Sequence, residues 1–266
     1  MLDRYNRRIN YLRISVTDRC NLRCSYCMPC EDFVVLPHDR ILSFDEITQV
    51  VRHGVELGID KVRLTGGEPL VRRDVVQLVK MIASIGGIND LAMTSNGVLL
   101  DRFAGPLAAA GLMRVNISLD TVDPRKFSRL TSGGNINKVF MGIRAAKKAG
   151  LLPIKLNCVI ENSAFEPDAV AVKKYGEDNG MEVRFIHRMD LGEGEFSIVE
   201  GGEGGDCGNC NRLRMTSDGK VKPCLFGDLA YDVRLMGARE ALHAAVTHKP
   251  PCGTVCNQNK FYNIGG

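Results

Sequence analysis

No run of apolar residues in this chain is long enough to span a bilayer, which takes about 20 in succession. The N-terminus, Met1 to Arg8, lacks the apolar core of a secretory signal. Charge of one sign is also scarce. The 35 Lys and Arg stand against 31 Asp and Glu, a net charge of +4. That excludes any argument from charge for a nucleic-acid partner, and it suits a small anionic ligand or a generic surface equally well. Internal repeats are absent, which removes solenoids and propellers from consideration. These absences leave a cytoplasmic globular protein. Its 266 residues, 44% hydrophobic and 25% charged, suffice for one large domain or a barrel with a small appendage. Ten cysteines in a reducing compartment then point to metal rather than to disulfides.

Three of them stand close together as Cys20, Cys24 and Cys27, a C-x3-C-x2-C spacing. Three thiolates on one loop can hold three irons of a [4Fe–4S] cube, which normally takes four cysteines. The fourth iron would lack a protein ligand and be open to chemistry, as the open position of a catalytic zinc is. A zinc knuckle completed by Cys30 or His38 is the alternative, and the spacing alone does not choose between them.

From Tyr11 to Phe185 short apolar stretches alternate with amphipathic ones. Strands are expected at 11–16, 61–64, 90–94, 114–118, 154–160 and 182–186, and helices at 44–57, 74–85, 101–110, 139–149 and 168–179. Gly or Asn follows each helix, as C-caps often do. Strand–helix alternation implies parallel strands joined by right-handed crossovers. Six such strands predict an α/β fold, a partial, open (β/α)6 barrel rather than the closed eight-stranded form. Residues 190–206 are rich in Gly and Glu and read as a flexible linker. A small cysteine-rich C-terminal domain follows, with a helix near 234–247. The expected organisation is thus barrel 1–189, linker 190–206 and auxiliary-cluster domain 207–266.

Within that last part, Cys207, Cys210 and Cys224 form C-x2-C-x13-C. The intervening residues look like a β-hairpin turning at Asp218-Gly219, which returns Cys224 toward the other two. A second three-cysteine cluster and a zinc ribbon lacking its fourth ligand are both compatible with this. Arg212 and Arg214 alternate on one strand and so share a face next to these thiols. Two guanidiniums there suit phosphate or carboxylate, or form an ordinary solvated pair.

Taken together, Arg13 to Asn21, the run Arg63-Leu64-Thr65-Gly66-Gly67-Glu68-Pro69, Thr94-Ser95-Asn96-Gly97, Asn116-Ile117-Ser118-Leu119-Asp120, Cys210-Asn211-Arg212-Leu213-Arg214 and the terminal Gly265-Gly266 resemble the GTP 3′,8-cyclases. This is the radical S-adenosylmethionine (SAM) family that opens molybdenum cofactor biosynthesis, and the likeness covers nearly the whole chain. Gly-Gly-Glu-Pro is shared by many radical SAM enzymes, whereas Cys-Asn-Arg-Leu-Arg and the final Gly-Gly are narrower.

The resemblance implies two [4Fe–4S] clusters, one on Cys20, Cys24 and Cys27 and one on Cys207, Cys210 and Cys224. It implies that SAM chelates the open iron of the first, with Tyr26, Thr65, Gly66, Gly67, Glu68, Pro69, Thr94, Ser118, Lys155 and Met189 as its contacts. GTP would meet the open iron of the second. Its partners would be Arg13, Lys61, Lys155, Arg184, Arg212, Arg214 and the Gly265-Gly266 tail, with Arg13, Arg212 and Arg214 catalytic. A 5′-deoxyadenosyl radical would take hydrogen from C3′ of GTP, and the sugar radical would attack C8 of guanine. The resemblance further implies a reductase or a flavodoxin- or ferredoxin-type electron donor, a downstream cyclic pyranopterin synthase, room for a homodimer, and neither nucleic acid nor membrane as partner.

The chain departs from the family pattern in three places. Only the Gly/Glu-rich stretch stands where the family has further structure before its second cysteine set. His187-Arg188 occupies a position where an acidic residue is expected. Extra cysteines are present: Cys158, read as core, Cys30, and the pair Cys252 and Cys256. Either member of that pair could supply a fourth ligand to the second cluster. A closed cluster of that kind would suit another radical SAM enzyme, such as a peptide maturase.

Overall fold

The computed structural model describes residues 1–28, 34–258 and 261–264. Cys30, Gly265 and Gly266 lie outside them. Six strands run parallel: β1 (Tyr11–Ser15), β2 (Lys61–Thr65), β3 (Asp90–Ser95), β4 (Arg114–Ser118), β5 (Lys155–Ile160) and β6 (Glu182–His187). Between them stand α1 (Phe44–Glu56), α2 (Val75–Ala83), α3 (Leu100–Ala109), α4 (Pro124–Leu130), α5 (Ile136–Lys148) and α6 (Pro167–Asp178). The strands follow one another in chain order across the sheet. Crossovers of one hand between sequential strands put every helix on the same face. The opposite face is left for a ligand.

Side-chain alternation fits that arrangement. Leu12 and Ile14 of β1, Val62 and Leu64 of β2, Leu91 and Met93 of β3 and Val115 and Ile117 of β4 are fully buried in the main core. Their immediate neighbours in the chain, such as Arg13, Arg63, Thr94 and Asn116, turn to the other face. Local chemistry fixes the helix starts. Ser43 and Glu46 close a reciprocal capping box on α1, and Asp123 accepts the Lys126 N–H at the start of α4.

The sheet remains open and does not end at β6. Strand β7 (Arg212–Met215) pairs parallel to β1, and β8 (Lys220–Lys222) and β9 (Tyr231–Asp232) extend the sheet antiparallel. The Asp218-Gly219 turn between β7 and β8 is as expected, with Gly219 at φ +90°. The helix expected near 234–247 is two helices, α7 (Val233–Met236) and α8 (Ala238–Thr247), because Gly237 takes φ +88° between them. A last short helix, α9 (Phe261–Ile264), abuts β1. Residues 190–206 double back on themselves. Phe185 of β6 exchanges backbone hydrogen bonds with Glu200, and Asp190 does so with Glu195. Among the described residues no helix is long and apolar enough to cross a membrane.

Candidate active site

The first cysteine loop leaves the sheet directly from β1. Beyond the strand ends the pairing of β1 and β2 continues, with Val16 N donating to Thr65 O (2.9 Å), Gly67 N to Thr17 O (2.7 Å) and Glu68 N to Arg19 O (2.8 Å). Gly66 allows this approach, since a β-carbon there would lie 2.6 Å from the Thr17 carbonyl oxygen. The glycine pair is thus required first of all by the backbone that carries Cys20. Glu68 is fully buried, and its carboxylate accepts from Leu70 N, Ser95 Oγ and Asn96 N at 3.1, 2.8 and 2.7 Å. Burial nonetheless pushes its pKa up to about 7. Asn96 in turn donates to Asn21 Oδ1 at 2.8 Å, so Glu68 positions the loop from the sheet side.

The far side of the loop is held by α4, an element that sequence periodicity did not reveal. Arg23 N and Ser25 N donate to the carbonyls of Thr131 and Leu130 at its C-terminal end, both at 3.2 Å. Tyr26 Oη donates to Asp120 Oδ2 at 2.6 Å, and Asp120 Oδ1 accepts from Val159 N.

Cys20, Cys24 and Cys27 border a cavity of about 220 Å³. Tyr26, Thr65, Gly66, Gly67, Glu68, Thr94, Ser118, Met189 and Arg13 border it as well. Burial raises the pKa of all three thiols, that of Cys24 and that of Cys27 to about 12. They stay neutral until a metal centre offsets the lost solvation. Among the described residues no three His, Cys, Asp or Glu groups close around a single ion. Thiolates of a cube each bind a separate iron and need not do so. This donor set, sulfur only and three-fold, fits a cluster with one open iron.

Cys207, Cys210 and Cys224 border a second cavity, of about 130 Å³, with Arg212, Arg214 and Lys249. Lys249 is almost fully buried; its Nζ donates to the carbonyls of Arg212 and Pro223 at 2.8 and 2.5 Å. Burial would raise the Cys210 thiol, but the Lys249 charge and the Arg212 N–H and guanidinium outweigh it and lower the pKa. Arg13, Ile186 and Met189 border both cavities, so the two share a wall.

Beneath that wall lies a field of guanidiniums. Arg63, Arg13 and Arg214 are aligned across β2, β1 and β7, and Lys61, Tyr11 and Arg212 form the next row. The Arg63 and Arg212 guanidiniums sit 5.6 and 5.9 Å from the Tyr11 ring centre. Burial and like charge lower the pKa of Arg13 and that of Arg214, the latter to about 10. The buried Nε atoms of Arg63, Arg184 and Arg212 have no hydrogen-bond partner. Like charges directly opposite in a sheet destabilise it, and unpaired buried donors add to that cost. An anion of several charges would relieve both.

Not every expected residue reaches these cavities. Lys61 and Lys155 open β2 and β5, at the strand ends away from the cysteine loop, and border neither cavity; Lys155 pairs with Glu182. Asn157, two residues further along β5, borders the first cavity. Arg184 borders neither cavity, and Pro69 opens a buried single-turn helix. His187 and Arg188 do border the first cavity. Lys249, which borders the second cavity, and Arg63, which borders neither but lies beside Arg13, are the functional candidates that sequence reasoning passed over. Alternation along Lys61-Val62-Arg63-Leu64-Thr65 would have found Arg63. Lys249 had no such signal.

Residues 14–161 match the model of the radical SAM superfamily. The GTP 3′,8-cyclase of Alkaliphilus oremlandii is 40% identical over 300 aligned positions, covering 94% of this chain and 93% of that protein. The chain belongs to the radical SAM superfamily and, within it, to the GTP 3′,8-cyclase family. The cyclases of Thermodesulfovibrio yellowstonii and Peptoclostridium acidaminophilum are 40% and 42% identical, each over 88% of this chain and over 87% and 85% of their own lengths. An alignment of 300 positions exceeds the 266 residues present here, so the A. oremlandii relative carries residues that this chain lacks.

Among solved structures, Streptococcus suis SuiB bound to S-adenosylmethionine superposes with a TM-score of 0.56 at 18% identity. The match covers 69% of this chain and 42% of SuiB. Methylornithine synthase gives 0.57 at 18% identity, over 69% of this chain and 54% of that enzyme. These likenesses establish the open barrel fold.

Proposed function

We propose that this chain converts GTP to (8S)-3′,8-cyclo-7,8-dihydroguanosine 5′-triphosphate, the first step of molybdenum cofactor biosynthesis. The observation that carries this reading is the shared wall of Arg13, Ile186 and Met189 between a cavity bordered by one cysteine triplet and a cavity bordered by the other. A substrate in the second cavity is thereby within reach of whatever is generated in the first.

In this reading Cys20, Cys24 and Cys27 hold one [4Fe–4S] cluster and Cys207, Cys210 and Cys224 the other. When bound, the first cluster and SAM supply the radical that takes hydrogen from C3′ of GTP. The protein's own part is placement. Gly66, Gly67, Thr65, Thr94, Ser118, Tyr26 and Met189 line the SAM side, and Glu68 holds the cysteine loop against them. Arg13, Arg212 and Arg214 face the triphosphate, whose negative charge offsets their repulsion for one another and for Arg63 beside them. Arg184, Lys61 and Lys155 extend the same basic face further down the strands. Residues 1–189 act as the radical generator and 207–266 as the substrate platform. An electron donor of the flavodoxin or ferredoxin class and a cytoplasmic setting complete the proposal, supported by family membership.

Anaerobic reconstitution with iron and sulfide, reduction, and incubation with SAM and GTP test it by mass spectrometry. 5′-Deoxyadenosine together with a cyclised nucleotide is expected. 5′-Deoxyadenosine without one would transfer the chain to a radical SAM enzyme of another substrate, the peptide maturases included. No 5′-deoxyadenosine at all would count against the chemistry itself.

A further inference from the structure

Cys252 and Cys256 have no task in the reaction above, and the structure separates their fates. Cys256 is buried with Leu191, Leu225, Phe226 and Ile264 in a small satellite core, and its N–H donates to Leu191 O at 2.7 Å. Cys252 is exposed, and its Sγ lies 3.3 Å from Cys207 Sγ.

The position of Cys252 relative to the cavity matters. Cys207 borders the second cavity and Cys252 does not. Cys252 therefore stands on the solvent side of Cys207.

The juxtaposition is held in place from two sides. The guanidinium of Arg7 donates to Cys207 O at 2.7 Å, to Pro251 O at 3.0 Å and to Pro250 O at 2.6 Å. Arg7 is itself pinned by Asp3, with Nε 2.7 Å from Oδ2, and both side chains are almost fully buried. One buried ion pair thus clasps the two cysteine-bearing segments together. On the other flank Gly253 lets the backbone after Cys252 lie close. A β-carbon there would be 2.7 Å from Phe226 Cβ and 3.4 Å from Cys224 Sγ.

We propose that Cys252 and Cys207 form a reversible disulfide in the cluster-free protein, which withdraws one ligand of the second centre under oxidising conditions. The oxidant is a low-molecular-weight disulfide such as glutathione disulfide. The exposed Cys252 thiolate attacks one of its sulfurs and releases one glutathione thiolate. The Cys207 thiolate then attacks the mixed disulfide at Cys252 and releases the second. Two protein thiols lose two electrons, one glutathione disulfide gains them, and the two protons pass to the departing thiolates. A reducing thiol reverses the exchange and returns Cys207 to iron.

The test uses the full chain stripped of iron, treated with glutathione disulfide and mapped by non-reducing peptide mass spectrometry. A linked pair of Cys207 and Cys252 peptides is expected. Reconstitution of the oxidised protein without added thiol should then reach about four irons per chain instead of the eight of two clusters. Dithiothreitol should restore the rest, and Cys252→Ser should load fully without it. Cross-links confined to Cys207, Cys210 and Cys224, equal in the parent and in Cys252→Ser, would overturn the proposal. A second measurement needs no variant: in the loaded protein Cys252 should react with iodoacetamide while the six cluster cysteines are protected. Protection of Cys252 as well would make it a cluster ligand and overturn the pairing. None of these readouts depends on GTP turnover.

Discussion

Gly67 and Arg19 are packed backbone against backbone: a β-carbon on Gly67 would stand 2.3 Å from the Arg19 carbonyl oxygen and 2.7 Å from its carbonyl carbon. Neither atom belongs to a side chain that could swing aside. The residue after the ladder ends is Cys20, so any shift is passed to the first cluster ligand. Gly67→Ala should cost about 1–3 kcal/mol of stability, as overpacking does. It should also lower iron in the first centre while sparing the second. Thermal melting and iron analysis check this; full iron content with an unchanged melting temperature would refute it.

Tyr26→Phe removes the hydroxyl donor to the half-buried Asp120 carboxylate and leaves it the Val159 N–H. Burial already raises the pKa of Asp120, and the Tyr26 bond pulls it back. An acid raised in the fold binds more protons native than unfolded, so its contribution to stability falls as pH rises past 3.8. Losing the Tyr26 donor extends that fall to higher pH. The variant should therefore be destabilised by about 1–3 kcal/mol at pH 7 and by less at pH 4. Melting curves at the two pH values decide it, and equal losses would contradict the argument.

Alkylation of the iron-free protein should separate the thiols by pH, because the thiolate is the reacting form. Cys210, lowered by Lys249 and Arg212 against the effect of burial, should react at lower pH than Cys24 and Cys27. Cys24 and Cys27, raised to about 12, and the buried Cys158, raised further still, should be the slowest. Lys249→Met should move the Cys210 profile upward. Site-resolved iodoacetamide labelling from pH 6 to 10 measures all of this.

Arg63→Met keeps the apolar stem and deletes one charge from the aligned row of Arg63, Arg13 and Arg214. Stability and binding should change in opposite directions. The free protein should melt no lower than the parent, since a like-charge contact is relieved. GTP should bind more weakly, since one positive charge is lost from the face beside its site. Arg212→Ala should go further, losing cyclisation while still yielding 5′-deoxyadenosine. Calorimetry and product analysis check both, and unchanged cyclisation in Arg212→Ala would remove the substrate assignment.

Much of this architecture was legible because it is local. The alternation in 114–118 placed β4 to the residue, and each strand of the open barrel lies within one or two positions of its expectation. What escaped was short or non-local. Helix α4 is seven residues long with one buried side chain, Phe127, too little for a periodic signal. Gly237 interrupts a pattern that otherwise reads as continuous helix. The stretch 190–206 has a linker's composition, yet its glycines serve close turns; at Gly205 a β-carbon would lie 2.0 Å from Ser197 O. The cysteines announced themselves by spacing. Lys249 did not, because its place beside Cys210 depends on how the chain returns after α8.

The pairing of β7 with β1 has a further consequence, for the order in which the molecule is built. Strand β1 is made first, and its neighbour on that side comes only at Arg212. Until then a growing chain carries a completed row of unpaired backbone groups along β1, flanked by Arg13 and Tyr11. Such an edge invites pairing with other chains, and contacts this far apart in sequence form slowly. The charged face of β1 is then a safeguard during synthesis as well as a ligand-facing surface. The second cysteine set arrives on the same stroke that closes the edge, so the substrate platform and the protection of the sheet are completed together.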